Sequence, residues 1–366
     1  MIKYLGSKRR LVPILASIAA ASGARQALDL FTGTTRVAQA FKGLGLSVTA
    51  VDTARYSEAF ARCYIELDAA AVDLSALRDV VAYLDDRPGR RGYVTETFCE
   101  HSRFFQPFNG ERIDAVRDAI ESEFAGSPLY PILLTSLIEA ADRVDSTTGL
   151  QMAYVKQWSA RSFAPLRLRV PVLLAGAGRA IRADARLAGP ALGPVELAYL
   201  DPPYNQHRYF TNYHVWETLV AWDAPDHYGV ACKRSDARDD ETKSVFNSRR
   251  TMGEALRSLV RALDCELLVL SYNDEAWLSL EELESLCEHH ESVRTLAIPS
   301  ARYVGARIGI HNPAGERVGT VSHLSNTEYL VIAGSRATVK RVTAAASAAS
   351  QVRPEPAAAV RAGTRR

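Results

Sequence analysis

The strongest constraint on the fold is a short apolar strand that breaks at a glycine turn and continues as a helix. Ala27-Leu28-Asp29-Leu30-Phe31 is a compact apolar run, Thr32-Gly33-Thr34-Thr35-Arg36 is turn-like, and Val37 to Gly45 is helix-compatible. A second strand, Ser47 to Val51, ends at Asp52. That places an acid about 20 residues beyond the turn, the position from which a carboxylate reaches a ribose in nucleotide-binding α/β folds. Strand, tight turn, helix, strand opens a parallel sheet. Residues 55–84 continue with helical spacing, the apolar positions being Phe60, Ala61, Tyr64, Ile65, Leu67, Leu74, Leu77, Val80, Val81 and Leu84.

After residues 85–92 (DDRPGRRG) the pattern changes. Strand signals are absent from about 93 to 165, and helical patterns occupy 112–124 and 130–144. The α/β pattern resumes at Glu196 to Leu200 and Cys265 to Leu270. An antiparallel pair at the sheet edge follows, Glu291 to Ile298 with Thr327 to Gly334. The expected plan is therefore a first half of an α/β domain at 1–84, a helical insertion at 85–167, the second half at 168–339, and a basic tail at 340–366. The tail's Ala, Ser, Pro and Arg content predicts disorder. At the N-terminus, Lys3, Lys8, Arg9 and Arg10 precede LVPILASIAAASGA, which imitates a signal peptide; the favoured reading is a helix from about Arg10 to Ala21.

Composition narrows the classes. A hydrophobic share of 47% over 366 residues excludes a disordered or fibrous chain. Lys+Arg 44 against Asp+Glu 42 excludes a histone-like polyanion binder, so any nucleic-acid contact must come from local patches. Cys63, Cys99, Cys232, Cys265 and Cys287 are odd in number and form no paired motif, which argues against disulfides and structural zinc and for a reducing, cytoplasmic setting. No run approaches the roughly 20 apolar residues of a membrane helix. A monomer without a bound metal is the expectation.

Asp201-Pro202-Pro203-Tyr204 follows an apolar strand directly, where open α/β sheets bind their ligands. Two prolines stiffen the backbone and remove two N–H donors, leaving carbonyl acceptors. With the Asp201 carboxylate and the Tyr204 ring, the loop suits a planar substrate bearing an exocyclic amine. The competing reading is an ordinary surface turn.

Context favours the first reading. Taken with Lys3-Tyr4-Leu5-Gly6-Ser7-Lys8, the Asp29-Leu30-Phe31-Thr32-Gly33 turn and Asp52, the tetrapeptide resembles the D12 class of DNA adenine N6-methyltransferases over about residues 2–335. The resemblance implies a Rossmann-like, S-adenosylmethionine-dependent fold with a mixed, mainly parallel seven-stranded sheet and a helical target-recognition insertion. It implies that Lys3, Tyr4, Gly6 and Lys8 open the cofactor site and that Asp29, Phe31 and Gly33 surround the methionine end. Asp52 would bind the ribose, and Asp184 would lie near the cofactor adenine. Asp201, Pro202, Pro203 and Tyr204 become catalytic. Thr35 departs from the pattern, standing where the family turn has a second glycine.

The implied substrate is double-stranded DNA with an extruded adenine, and a cognate restriction endonuclease is a possible companion. Arg112 and Lys156 in the insertion, and Arg208, Lys233 and Arg234 in the polar stretch 205–250, are candidate DNA contacts; the bland reading of that stretch is a surface loop. Ser271-Tyr272-Asn273-Asp274 resembles the wall of a target-base pocket. Cytosine N4 methylation is a rival chemistry, although it more often accompanies Ser in place of Asp201. A DNA-binding relative without turnover is a rival class.

Overall fold

The computed structural model describes residues 2–155, 157–301, 310–311, 317–319 and 325–351. Seven strands form one sheet: β1 Gln26–Leu30, β2 Ser47–Asp52, β3 Gly178–Arg182, β4 Val195–Leu200, β5 Cys265–Asn273, β6 Ser292–Ala301 and β7 Ser325–Gly334. Their order is β3-β2-β1-β4-β5-β7-β6. The ladders from β3 through β5 are parallel, and β7 runs antiparallel to both β5 and β6. The expected mixed, mainly parallel seven-stranded sheet is present, with the antiparallel strands at one side. β3 had no counterpart in the sequence reading, because Gly178-Arg179-Ala180-Ile181-Arg182 lacks an apolar run.

Chain reversal in strand order occurs between β1 and β4, which are hydrogen-bonded neighbours. Their C-terminal ends carry Phe31 to Thr35 and Asp201 to Tyr204, so the switch point brings the two motifs together. Period-two alternation divides the strand side chains between two faces. Leu197 and Tyr199 of β4 enter the larger core, and Ala198 and Leu200 the smaller one.

The smaller core is covered by α7 Ala185–Ala191, α9 Arg249–Ala262 and α10 Leu280–Leu286. The other face carries α1 Val12–Ser22, α2 Arg36–Gly43, α3 Arg55–Ala61, α4 Leu74–Asp85, α5 Pro107–Phe124 and α6 Tyr130–Val144; α8 His214–Ala221 joins them. No strand lies among the described residues of 85–167. That segment does not make a core of its own. Phe98, Phe104, Ile113, Leu137 and Ile138 belong to the same buried cluster as Leu15, Phe41 and Tyr56, so the insertion is rigidly continuous with the sheet.

The tail expectation needs correction. Arg336–Gln351 is a helix, α11, which buries Val339, Val342 and Ala346. Those three positions follow helical spacing and pack in the core that contains Ile14, Leu15 and Ile18 of α1. Arg341 donates from Nε to Ala21 O and from Nη2 to Ser22 O, capping the last turn of α1. An alanine-rich sequence is helix-prone once one face finds a partner. Arg353 to Arg366 lie outside the described residues.

Candidate active site

The turn after β1 is organised by two carboxylates. Asp29 Oδ2 accepts from Thr32 Oγ1 at 2.8 Å and from Ala38 N at 3.1 Å. Asp52 Oδ2 accepts from Gly33 N at 2.8 Å, and its Oδ1 from Ala54 N at 3.0 Å. Phe31, Gly33 and Thr35 have φ of 66, 53 and 61°. Such values are unfavourable for a β-branched residue. Thr35 is held there by its own hydroxyl, which donates to Thr34 O and accepts from Gln39 Nε2 at 2.8 Å. The backbone that a glycine adopts freely is thus retained despite the substitution.

Lys3 to Lys8 crosses this turn. Tyr4 stacks on Tyr213 and Tyr209 with ring centroids 4.8 and 5.4 Å apart. Its ring is so close to Gly33 that a Cβ there would lie 3.0 Å from it, so a side chain at 33 would force the ring away. Lys8 is 6% exposed, and its ammonium lies 3.0 Å from Asp201 Oδ1 and 3.2 Å from Glu328 Oε2. The Tyr204 ring meets Tyr272 edge-on at 5.4 Å and carries Lys8 Nζ 5.6 Å from its centroid. Pro202 is buried, while Pro203 lines the adjacent cavity.

That cavity has a volume of about 620 Å³. Its floor is Tyr4, Gly6, Phe31, Asp52, Asp184 and Asp201, and Phe246, Thr242 and Asn247 line it from the stretch 205–250. A smaller hollow beside it is lined by Lys8, Asp29, Phe31, Gly33 and Arg36. Burial pushes Asp29 up to about 8 and Asp201 to about 6, Lys8 opposing the rise at Asp201. Asp29 Oδ1 is buried without a hydrogen-bond partner among the described residues. Such an orphan acceptor at a cavity wall suits a cationic ligand group.

A family model of D12 class N6 adenine-specific DNA methyltransferases matches residues 4–286. The chain belongs to that family. Among its relatives, the Type II methyltransferase M.NlaIII of Neisseria lactamica is 28% identical over 302 residues, 78% of this chain and 88% of that protein. The Type II methyltransferase M.FokI of Planomicrobium okeanokoites is 27% identical over 327 residues, covering 82% of this chain and 50% of the relative. This chain therefore spans about half of that longer protein. The Type II methyltransferase M.CviAII of Paramecium bursaria Chlorella virus 1 is 27% identical over 227 residues, 58% of this chain and 66% of that protein.

The methyltransferase brings Tyr4, Gly6, Lys8, Asp29, Phe31, Gly33, Asp52, Asp184 and Asp201 to Tyr204 into one region. Asp184 caps α7 through Arg186 N, and although burial alone would raise its carboxyl, hydrogen bonds from Arg186 hold it below the usual range. Lys3 does not line either cavity described here. Its ammonium pairs with Asp142 at 2.9 Å and Asp145 at 3.4 Å, tying the motif to α6 and the residue that follows it.

The DNA candidates divide. Arg234 is corrected: it is 2% exposed and its guanidinium is shared by Asp223 and Asp236 at 2.7 and 2.6 Å, so it is a structural cation. Arg112 donates to Asp85 O and pairs with that carboxylate at 3.5 Å, joining α5 to α4. Arg208 donates from Nη2 to Ala237 O at 2.6 Å and to Thr242 Oγ1 at 3.3 Å. Lys233 is half-buried on a two-residue strand paired with His227 and Tyr228. Lys156 lies outside the described residues.

Sequence reasoning missed Phe246, Asn247, Glu217 and Glu328. Phe246 meets Phe31 edge-on at 5.0 Å. Asn247 Nδ2 donates to Asn205 O at 2.9 Å and His207 O at 3.0 Å. Glu217 is 1% exposed, accepts from Arg55 N at 2.9 Å and is pushed up to about 7 by burial. An acid inside the otherwise apolar strand Thr327 to Gly334 was a readable signal for Glu328; Asn247 had none.

Proposed function

We propose that this adenine-specific DNA methyltransferase uses S-adenosylmethionine held across the two adjoining cavities, and that Asp201 with the Pro202 carbonyl activates the N6 amine of an adenine extruded from double-stranded DNA. The observation that carries the reading is the placement of Asp201 at the junction of both cavities. The cofactor's contribution is a methyl group on a positively charged sulfur. Asp29 suits its ammonium, and Asp52 and Asp184 suit its ribose and adenine ends; Phe31 and Phe246 supply apolar surface between them.

The adenine amine is a poor nucleophile because its lone pair is delocalised into the ring. Asp201 Oδ and the Pro202 carbonyl accept its two protons, which directs the lone pair outward for in-line attack, and the Tyr204 ring stacks on the base. Fixed acceptors of this kind stabilise charge developing on nitrogen, and losing one lowers the rate by roughly 10²–10³. Extruding the base costs a few kcal/mol. A cysteine nucleophile is not needed: burial pushes all five thiols up, away from the reactive thiolate.

The relatives named Type II methyltransferases support a role beside a restriction endonuclease, with the enzyme acting as a monomer in the cytoplasm. No helix among the described residues is long and apolar enough to cross a membrane. Incubation with S-adenosylmethionine and genomic DNA free of adenine methylation, followed by nucleoside mass spectrometry, tests the reading. N6-methyladenine from the wild type, with loss of about 10²–10³ or more in Asp201→Ala at preserved cofactor binding, is expected. A mutant retaining most of its rate, or N4-methylcytosine as product, overturns it.

A further inference from the structure

Glu328 belongs to none of the motifs, yet it meets the centre of the site. It lies on β7 directly opposite Asn273 of β5, beyond the stretch matched by the family model. Its side chain is nearly buried. Oε1 accepts from Asn273 Nδ2 at 3.0 Å, while Oε2 lies 3.2 Å from Lys8 Nζ. The same ammonium contacts Asp201 at Oδ1, 3.0 Å away. One buried cation therefore bridges two carboxylates, one of them fixed in place by an amide.

This arrangement has a directional consequence. An ammonium on a flexible four-carbon stem, left with Asp201 alone, is free to settle between both carboxylate oxygens. A second, immobile acceptor draws it to one side. We propose that Glu328 is a positioning residue for methyl transfer: seated by Asn273, it holds Lys8 against one oxygen of Asp201, leaves the other for the substrate amine, and sets how strongly that carboxylate accepts a proton. The inference rests on the reading of Asp201 as the catalytic acceptor.

Its signature is in the pH profile. The charged and titratable groups around Asp201 are Lys8 from the N-terminal segment, Glu328 from β7, Asp29 from β1, Tyr199 from β4, and Tyr204 and Tyr209 from the loop after β4. Glu328 adds to the burial that raises Asp201, and Lys8 opposes it. Removing the Glu328 charge leaves Lys8 to Asp201 alone, so the acid limb of the rate moves to lower pH while the carboxylate becomes a weaker acceptor.

The test is single-turnover methyl transfer against pH, with labelled S-adenosylmethionine and unmethylated genomic DNA. For Glu328→Gln we expect an acid limb lowered by about one pH unit and a plateau reduced about tenfold. Glu328→Asp, which keeps the charge on a shorter stem, should lose plateau rate with its limb unmoved. A Glu328→Gln profile equal to wild type, or one with a lower plateau and an unmoved limb, overturns the proposal. If Glu328→Gln shows no cooperative melting, Asn273→Ala decides by the same profile: with Glu328 unseated, a limb moved to lower pH together with a reduced plateau supports the role, and an unmoved limb overturns it. Asp201→Asn run alongside keeps the two readings apart, since activity in that variant defeats the catalytic assignment whatever Glu328 does.

Discussion

The floor and the roof of the larger cavity are built differently. On the floor, Asp52 accepts from Ala54 N two residues on and Asp184 from Arg186 N two residues on, and the longest of these reaches, Asp52 to Gly33, spans 19 positions. In the roof, Thr242 accepts from Arg208 across 34 positions, and Asn247 reaches Asn205 across 42. Floor carboxylates accept from backbone amides; roof side chains mostly donate to backbone carbonyls. Local partners make the floor a consequence of strand ends and tight turns, whereas the roof exists only when distant segments meet. The loop that follows Tyr204 is fastened to the roof by the two Asn247 hydrogen bonds to Asn205 O and His207 O.

Four substitutions would break or sharpen that contrast. The largest effect is expected in the hollow beside the floor. Asp29→Asn should weaken S-adenosylmethionine binding by about 2–3 kcal/mol, roughly 30- to 150-fold, as read by calorimetry. It should also stabilise the free protein. The Asp29 carboxyl titrates at about 8 in the fold against 3.8 unfolded, so the stability it contributes is fully present below the unfolded value and is lost as pH rises through the folded one. The melting temperature of the variant should therefore rise above wild type progressively between those values and level off beyond about 8. A gap that does not depend on pH would show that Asp29 is not the strained group.

Arg234→Ala comes next. It leaves Asp223 and Asp236 facing each other without their shared cation, although both are partly solvated, and should cost about 2 kcal/mol of stability. Thermal melting reads that loss, and the slope of DNA affinity against salt should stay at its wild-type value. A reduced slope with unchanged melting would restore Arg234 as a phosphate contact. Asn247→Ala removes two hydrogen bonds from the roof and should raise the KM for the cofactor about fivefold, at about 1 kcal/mol. A change in kcat alone would place Asn247 in the chemistry rather than in the cover. Smallest is Lys233→Ala. As a phosphate contact it should weaken all DNA by a few-fold and reduce the salt slope by about one. An unchanged slope would leave Lys233 a surface residue.

The contrast also explains what could be read in advance. KYLGSK, DLFTG, Asp52 and DPPY were legible because each sits at a strand end or an immediately adjacent turn, where residue type and backbone geometry are coupled. Lys3 matched the motif equally well. Its partners, Asp142 and Asp145, lie far along the chain, and they hold its ammonium at α6, where it lines neither cavity. Charge in the polar stretch was visible, but its use was not: Arg234 and Lys233 are neighbours, one buried between carboxylates and the other half-buried on a short ladder. The C-terminal helix escaped because its apolar face consists of two valines and an alanine, too weak a pattern to stand out from a low-complexity tail until α1 is placed against it.

Sequence by itself determined the family, the parallel β1-α2-β2 opening, the Asp201–Tyr204 turn at the end of β4 and the helical character of the insertion, since these depend on periodicity, turn chemistry and short-range hydrogen bonding. Tertiary structure decided which cations are buried and which reach solvent, that the insertion shares the main core, and that Glu328 stands opposite Asn273 with Lys8 between it and Asp201. The reason is physical. A local turn is specified by a few neighbouring residues, but the environment of a charge is set by every segment packed around it.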